Sequence, residues 1–439
     1  MRSVAFLVVL SLALPAVATS APLTADEAVK IALQKNSSII QAEASVLSAR
    51  SGLWSAYSGL VPEVRGSYSW NRTTTLPGDA IRTQQNPFTG LPVFTRTLSS
   101  EEVDIAPSVN GSWSIINLQN WSNVSAARHG MAGAELNRKA TRNDIALDAR
   151  RLFYGVVRAM RLAEVAAGSL KLSRDDERRV RALFEVGSVS KSDLLKAKVR
   201  TAQSQLDSLI SNHNVTNARI NLARVLGLSE SDVHEVDTTL VQPHRNFDPT
   251  RVLTEARASR PDLLAAEHEL KSAQAGLNAA RWQRLPSVAL GGNYDFRSTR
   301  HPKSKTEFFS DATGTTQKTG SPVVSDFVSK SDPSRGVSFS VNVPLFDGFV
   351  TDARIASARA TLLRSREVRG ALLRNLDGEV RLALLSYQES VEREALSRQA
   401  LESAAENLNL VQQKYNVGSA TILDLIDSQV QLQRAQSDL

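Results

Sequence analysis

Residues 184–207 read FEVGSVSKSDLLKAKVRTAQSQLD, and residues 415–438 read YNVGSATILDLIDSQVQLQRAQSD. Laid over one another without a gap, they match Val186 with Val417, Gly187 with Gly418, Asp193 with Asp424 and Leu194 with Leu425. A second pair precedes them: SGLWSAYSGLVPEV from Ser51 aligns with AGLNAARWQRLPSV from Ala275, so that Pro62 falls on Pro286. The chain is written twice, and the duplication decides the fold. Each half carries a helix, a proline-marked switch, an alternating segment, a loop, a second alternating segment, a very long helix and a Val-Gly-Ser turn.

The alternating segments have period two, the mark of strands with one apolar and one polar face. In the first, Val64, Gly66, Tyr68 and Trp70 alternate with Arg65, Ser67, Ser69 and Asn71. The second sets Ile105, Val109, Trp113 and Ile115 against Ser108, Asn110, Ser112 and Ser114. The third sets Val288, Leu290, Tyr294 and Phe296 against Ser287, Asn293 and Asp295, and the fourth sets Val337, Phe339, Val341 and Val343 against Ser338, Ser340 and Asn342. Strands are expected over 62–72, 103–117, 286–298 and 336–346. Each runs for about ten residues, the length a tilted strand needs to cross a bilayer. Trp54, Tyr57, Trp121 and Trp282 lie at the ends of these strands, where amphipathic rings gather at a membrane–water boundary. Ordinary core anchoring would also explain them.

From Ile145 a four-three spacing runs through Ala149, Leu152, Val156, Ala159, Ala163, Ala166 and Leu170, a heptad seam whose small knobs let helices approach closely. Leu373, Leu376, Val380, Ala383 and Tyr387 keep that spacing, as do Leu401, Ala404, Leu408, Val411 and Tyr415. The proline-free stretch from Val124 to Phe184 would reach on the order of 90 Å at about 1.5 Å per residue.

Four strands cannot close a barrel, and an open edge in hydrocarbon leaves backbone groups unpaired at several kcal/mol each, so several copies must pool their strands. Two copies give a plugged eight-stranded barrel, and three give a twelve-stranded one with room for a pore. Three are preferred. The expected fold is mainly α with a transmembrane β-barrel section, in which a homotrimer forms a twelve-stranded barrel over a helical periplasmic tunnel. Thr73 to Leu98 and Ser298 to Lys330, rich in Thr, Ser, Gly and Pro, read as loops.

Arg2, the apolar run Val4 to Leu14 and the small residues Ala16-Val17-Ala18 read as a signal peptide over 1–18. The first repeat then covers 19–226, a connecting segment including Val241-Gln242-Pro243 and Asp248-Pro249 covers 227–259, and the second repeat covers 260–439. The chain stops at Leu439 inside a helix whose first-half counterpart runs to about Leu226; either that helix is short or the sequence is truncated. No cysteine occurs, which removes disulfides and thiolate metal sites. The net charge of +7 is spread along helices with acidic residues between, as in Arg174-Asp175-Asp176-Glu177-Arg178-Arg179, and argues against a nucleic-acid partner. The six histidines show no His-Glu-x-x-His spacing, no Gly-rich phosphate loop follows a strand, and Ser188 to Lys191 matches Ser-x-x-Lys without companion motifs. No enzyme, cofactor or metal site is expected.

Arg260-Pro261-Asp262-Leu263, Leu285-Pro286-Ser287-Val288, Val343-Pro344-Leu345-Phe346-Asp347-Gly348 and the two Val-Gly turns, in this order and duplicated, resemble the TolC-like outer membrane efflux protein family over almost the whole mature chain. The resemblance implies a homotrimeric export channel in the outer membrane lipid. It also implies two partners, a periplasmic adaptor and an inner membrane transporter of the RND or ABC type. By this likeness Val186, Gly187, Ser188, Val417, Gly418 and Ser419 form the adaptor-docking turns at the periplasmic tip. Asp193 and Tyr415 match residues that hold the entrance shut, and Asp424 and Asp427 match a selectivity ring. Three apart on a helix, both carboxylates share one face, and threefold symmetry would make each a ring that attracts cations; the simpler alternative is that Asp424 caps a helix. Some members carry an arginine at the position of Ala420, so the tip here is looser unless another residue such as Lys191 substitutes. The competing reading is a trimeric coiled-coil surface or adhesin-type protein with a barrel anchor, although such anchors usually occur once, at one end of the chain.

Overall fold

A computed structural model describes residues 22–75, 82–85, 91–229, 236–239, 245–309, 323–330 and 332–439. The expected signal peptide and Val241-Gln242-Pro243 lie outside the described residues. In chain order the elements are α1 (Ala25–Lys35), α2 (Ser37–Ser58), β1 (Glu63–Thr75), β2 (Arg82–Gln85), β3 (Pro92–Ile116), α3 (Leu118–Glu185) and α4 (Lys191–Leu226). There follow α5 (Pro249–Ser259), α6 (Pro261–Trp282), β4 (Ser287–Asp295), β5 (Ser298–Phe309), β6 (Val323–Lys330), β7 (Ser334–Asn342), α7 (Val350–Asn416) and α8 (Ile422–Asp438). The connecting segment thus contains a helix of its own, α5, which Asp248 caps and Pro249 opens.

The chain divides into two compact units. The first takes the described residues of Met1–Leu47, Gly133–Glu267 and Val368–Leu439. Its core sets Ala28 and Ala32 of α1 against Ala149, Phe153, Val156 and Val157 of α3 and Leu222, Ala223 and Leu226 of α4. Small residues at these contacts bring the helices close. At the end of α4 Gly227 turns left-handed, and a Cβ there would stand 2.7 Å from the Lys35 carbonyl oxygen, so α1 and α4 can meet only over a glycine. The seam read from the sequence is buried or half-buried from Ile145 to Leu170. In α7 Leu376 is buried, whereas Ala383 is exposed.

The second unit takes Ser48–Ala132 and His268–Glu367 and holds the sheet. β1 pairs with β3, β3 with β4 and β4 with β7, all antiparallel. Partners directly opposite in such a ladder point to the same face, and the register sorts the residues cleanly. Tyr68 lies opposite Pro107, Val109 opposite Tyr294, Trp113 opposite Leu290, and Leu290 opposite Phe339. On the other face Ser67 meets Ser108, their hydroxyls 2.7 Å apart, and Asn110 meets Asn293. The apolar face is bare: Tyr68 is 68% exposed, Phe339 67% and Val337 84%.

The segments read as loops are in part strand. β1 runs on to Thr75, β3 begins at Pro92, and β2, β5 and β6 extend the sheet. These Thr-, Ser- and Lys-rich stretches carry no period-two pattern, although their backbones still pair. Among the described residues the sheet is open. β1 pairs only with β3, and β7 only with β4.

Candidate functional site

Two helical turns in the first unit have the same construction. Gly187 and Gly418 stand at φ 75° and 76°. Behind them the Ser188 amide donates to the Leu183 carbonyl at 2.9 Å and the Ser419 amide to the Lys414 carbonyl at 2.8 Å, closing α3 and α7 with the same pair of backward bonds. Val186 and Val417, at the tips, are 74% and 79% exposed. The following helices are capped alike: Ser190 accepts from the Asp193 amide at 3.2 Å, and Thr421 from the Asp424 amide at 3.2 Å.

Beneath the turns Val180 of α3, Ala197 of α4, and Ile422 and Leu425 of α8 form a buried cluster, with Tyr415 packed against it. A cleft of about 770 Å³ opens here, with Asp193, Tyr415, Gly418, Ala420, Arg179 and Lys196 on its walls. Asp193 and Tyr415 therefore share one cleft within a single chain. Hydrogen bonds from Ser190 hold the Asp193 carboxyl below its ordinary range, and Lys196 lies 3.6 Å away. Burial, then the charge of Asp176, pushes the Tyr415 hydroxyl upward. The cations on the cleft walls are Arg179 and Lys196; Lys191 is exposed at the start of α4.

Asp424 does cap α8. Its Oδ2 accepts from the Thr421 amide at 2.8 Å and the Thr421 hydroxyl at 2.7 Å, and these donors hold its carboxyl below the ordinary range. Asp427 accepts from Gln431 at 2.8 Å. Both carboxylates are exposed and lie on one face of α8.

A polar seam below the cleft escapes a reading of the sequence. Ser173 of α3 and Ser204 of α4, both buried, share a hydrogen bond of 2.9 Å, and Thr201 donates to the Ser173 carbonyl at 3.1 Å. From α8, Gln433 accepts from Ser169 at 2.9 Å and from Arg200 at 3.0 Å. Gln429 donates to Asp176, whose carboxyl is raised chiefly by burial. A signal was present, because Ser173 continues the four-three spacing beyond Leu170 and so falls at a core position.

In the second unit, Trp54 and Tyr57 lie in the last turns of α2, Trp121 in the first turn of α3 and Trp282 at the end of α6, all next to strand ends. Trp54 is 71% and Trp121 62% exposed. The Trp54 and Tyr57 rings are 6.4 Å apart, and Arg128 donates to the Tyr57 hydroxyl at 2.8 Å. Phe346 and Phe349, edge to face at 5.6 Å and exposed, stand at the remaining junction, after β7.

The outer membrane efflux protein family model matches residues 28–228 and 252–439. The chain belongs to that family. TolC of Vibrio cholerae O1 is 22% identical over 363 residues, 82% of this chain and 78% of that protein. TolC of Escherichia coli K12 is 21% identical over 336 residues, 74% of this chain and 64% of that protein. The crystal structure of the Campylobacter jejuni CmeC outer membrane channel superposes with a TM-score of 0.74 at 20% identity, over 94% of this chain and 81% of that one. Membership places this protein among TolC-like outer membrane efflux and secretion channels.

Proposed function

We propose that the chain is one of three identical subunits of a passive export conduit, whose pooled strands make a twelve-stranded barrel and whose helices line a periplasmic passage. The observation that carries this reading is the sheet itself. One face is apolar and bare, the other is Ser- and Asn-rich, and among the described residues β1 and β7 each pair on one side only. An apolar outside, a polar inside and two free edges are what a closed multi-subunit barrel around water requires.

In this reading the paired Val-Gly turns dock a periplasmic adaptor, Asp193 and Tyr415 help to close the entrance, and Asp424 and Asp427 form carboxylate rings that favour cations. The energy comes from an inner membrane transporter, in a tripartite efflux or type I secretion assembly. Single-channel recording of the purified oligomer in a planar bilayer tests the conduit. Discrete conductance steps are expected. An oligomer that never conducts, with any adaptor or entrance mutation, is instead a coiled-coil surface fibre with a barrel anchor.

A further inference from the structure

The sequence shows no metal-ligand spacing, yet folding brings together two histidines that lie 139 positions apart. His129 on α3 and His268 on α6 face each other in the second unit. Their Nδ1 atoms are 3.2 Å apart and their ring centroids 5.4 Å apart. At that distance one ring can donate an Nδ1–H to the other.

The same distance suits a chelate. An ion held at about 2.0–2.1 Å by each of two imidazoles, in tetrahedral or adjacent octahedral positions, sets the nitrogens about 2.8–3.4 Å apart. Neither ring would have to move far. The helices are fixed beside the pair, because the Ser272 hydroxyl on α6 donates to the Ala126 carbonyl on α3 at 2.9 Å. Ala126 against Ser272 and His129 against His268 make one antiparallel contact row. Small residues along it, Ala126, Gly130, Ser272 and Gly276, border a cleft of about 490 Å³. Gly130 and Glu269, each the neighbour of one histidine, line that cleft. Both histidines are half-buried.

We propose that His129 and His268 form a bidentate site for a divalent transition-metal ion such as Zn²⁺, Cu²⁺ or Ni²⁺, which staples α3 to α6 with water completing its coordination. A donor pair of two imidazoles favours an imidazole-loving ion over Mg²⁺ or Ca²⁺. Bound metal replaces the shared proton; no electrons are exchanged.

The experiment is a Cu²⁺ titration of the untagged, full-length protein in detergent, followed by electron paramagnetic resonance. Saturable binding of a single ion per subunit with the hyperfine signature of two imidazole nitrogens is expected, and excess Mg²⁺ should not displace it. His129→Gln and His268→Gln should each weaken binding at least tenfold, about the least that losing even an outer-shell partner costs, and should leave at most one nitrogen. Absence of saturable binding, a one-nitrogen spectrum in the native protein, or native affinity in either variant overturns the site. The spectrum of the native protein decides the question should a variant fail to assemble.

Discussion

Gly187 and Gly418 hold the same left-handed backbone at the tips of two turns far apart in sequence, φ 75° and 76°, with nothing within 4 Å of where a Cβ would stand. Any substitution there meets backbone strain and no clash. Gly187→Ala and Gly418→Ala should each cost on the order of 1 kcal/mol and lower the midpoint of thermal helix loss by similar amounts. A large effect at one position alone would mean that the turns are not equivalent.

Asp424 and Asp427 differ in their structural duties. Asparagine can still cap a helix, so Asp424→Asn should assemble normally, and among the described residues the Asp427 carboxylate accepts from Gln431. The double variant should therefore fold, lose cation preference and escape block by multivalent cations in bilayer recordings. Unchanged selectivity would rule out the ring.

The caps of α4 and α8 link the tip to pH. The Asp193 and Asp424 carboxyls are held low by donors from Ser190 and Thr421. Carboxylates with depressed folded pKa stabilise the fold above their unfolded values and lose that contribution as pH falls through the folded ones. Melting followed from pH 7 to pH 3 should show stability falling on the acid side. Thr421→Ala should cost about 1 kcal/mol at neutral pH and flatten part of the acid slope; a slope as steep as in the native protein would contradict the assignment.

Neighbouring residues of β7 test the two faces. Phe339→Arg puts a charge on the bare apolar face and should cost about 2–4 kcal/mol in a bilayer, seen as a collapse in the yield of membrane-inserted oligomer. Ser338→Arg, one residue away on the polar face, should insert nearly normally. Equal yields would mean that neither face meets lipid.

Much of the fold was legible in the sequence, because two-faced strands and long helices each obey a strict period. Val64 to Trp70 and Val337 to Val343 announce their faces through alternation. Ile145 to Leu170 announces the seam. Pairing in the stretches read as loops was not legible, since Thr95 to Thr97 and Lys305 to Phe309 carry no apolar–polar alternation. Nor could contacts such as Ser173 with Ser204 or His129 with His268 be seen, because periodicity gives a residue its face and not its partner on another helix.

The most direct test of the account joins the two free edges. The chain has no cysteine, so Ser67→Cys on β1 can be combined in turn with Ser338→Cys, Ser340→Cys or Asn342→Cys on β7, all on the polar face, and oxidised in native membranes. A shared barrel predicts cross-links between copies for at least one pair, in a ladder that ends at three subunits. A chain that stays monomeric for every pair, or links beyond three without closing, would contradict it.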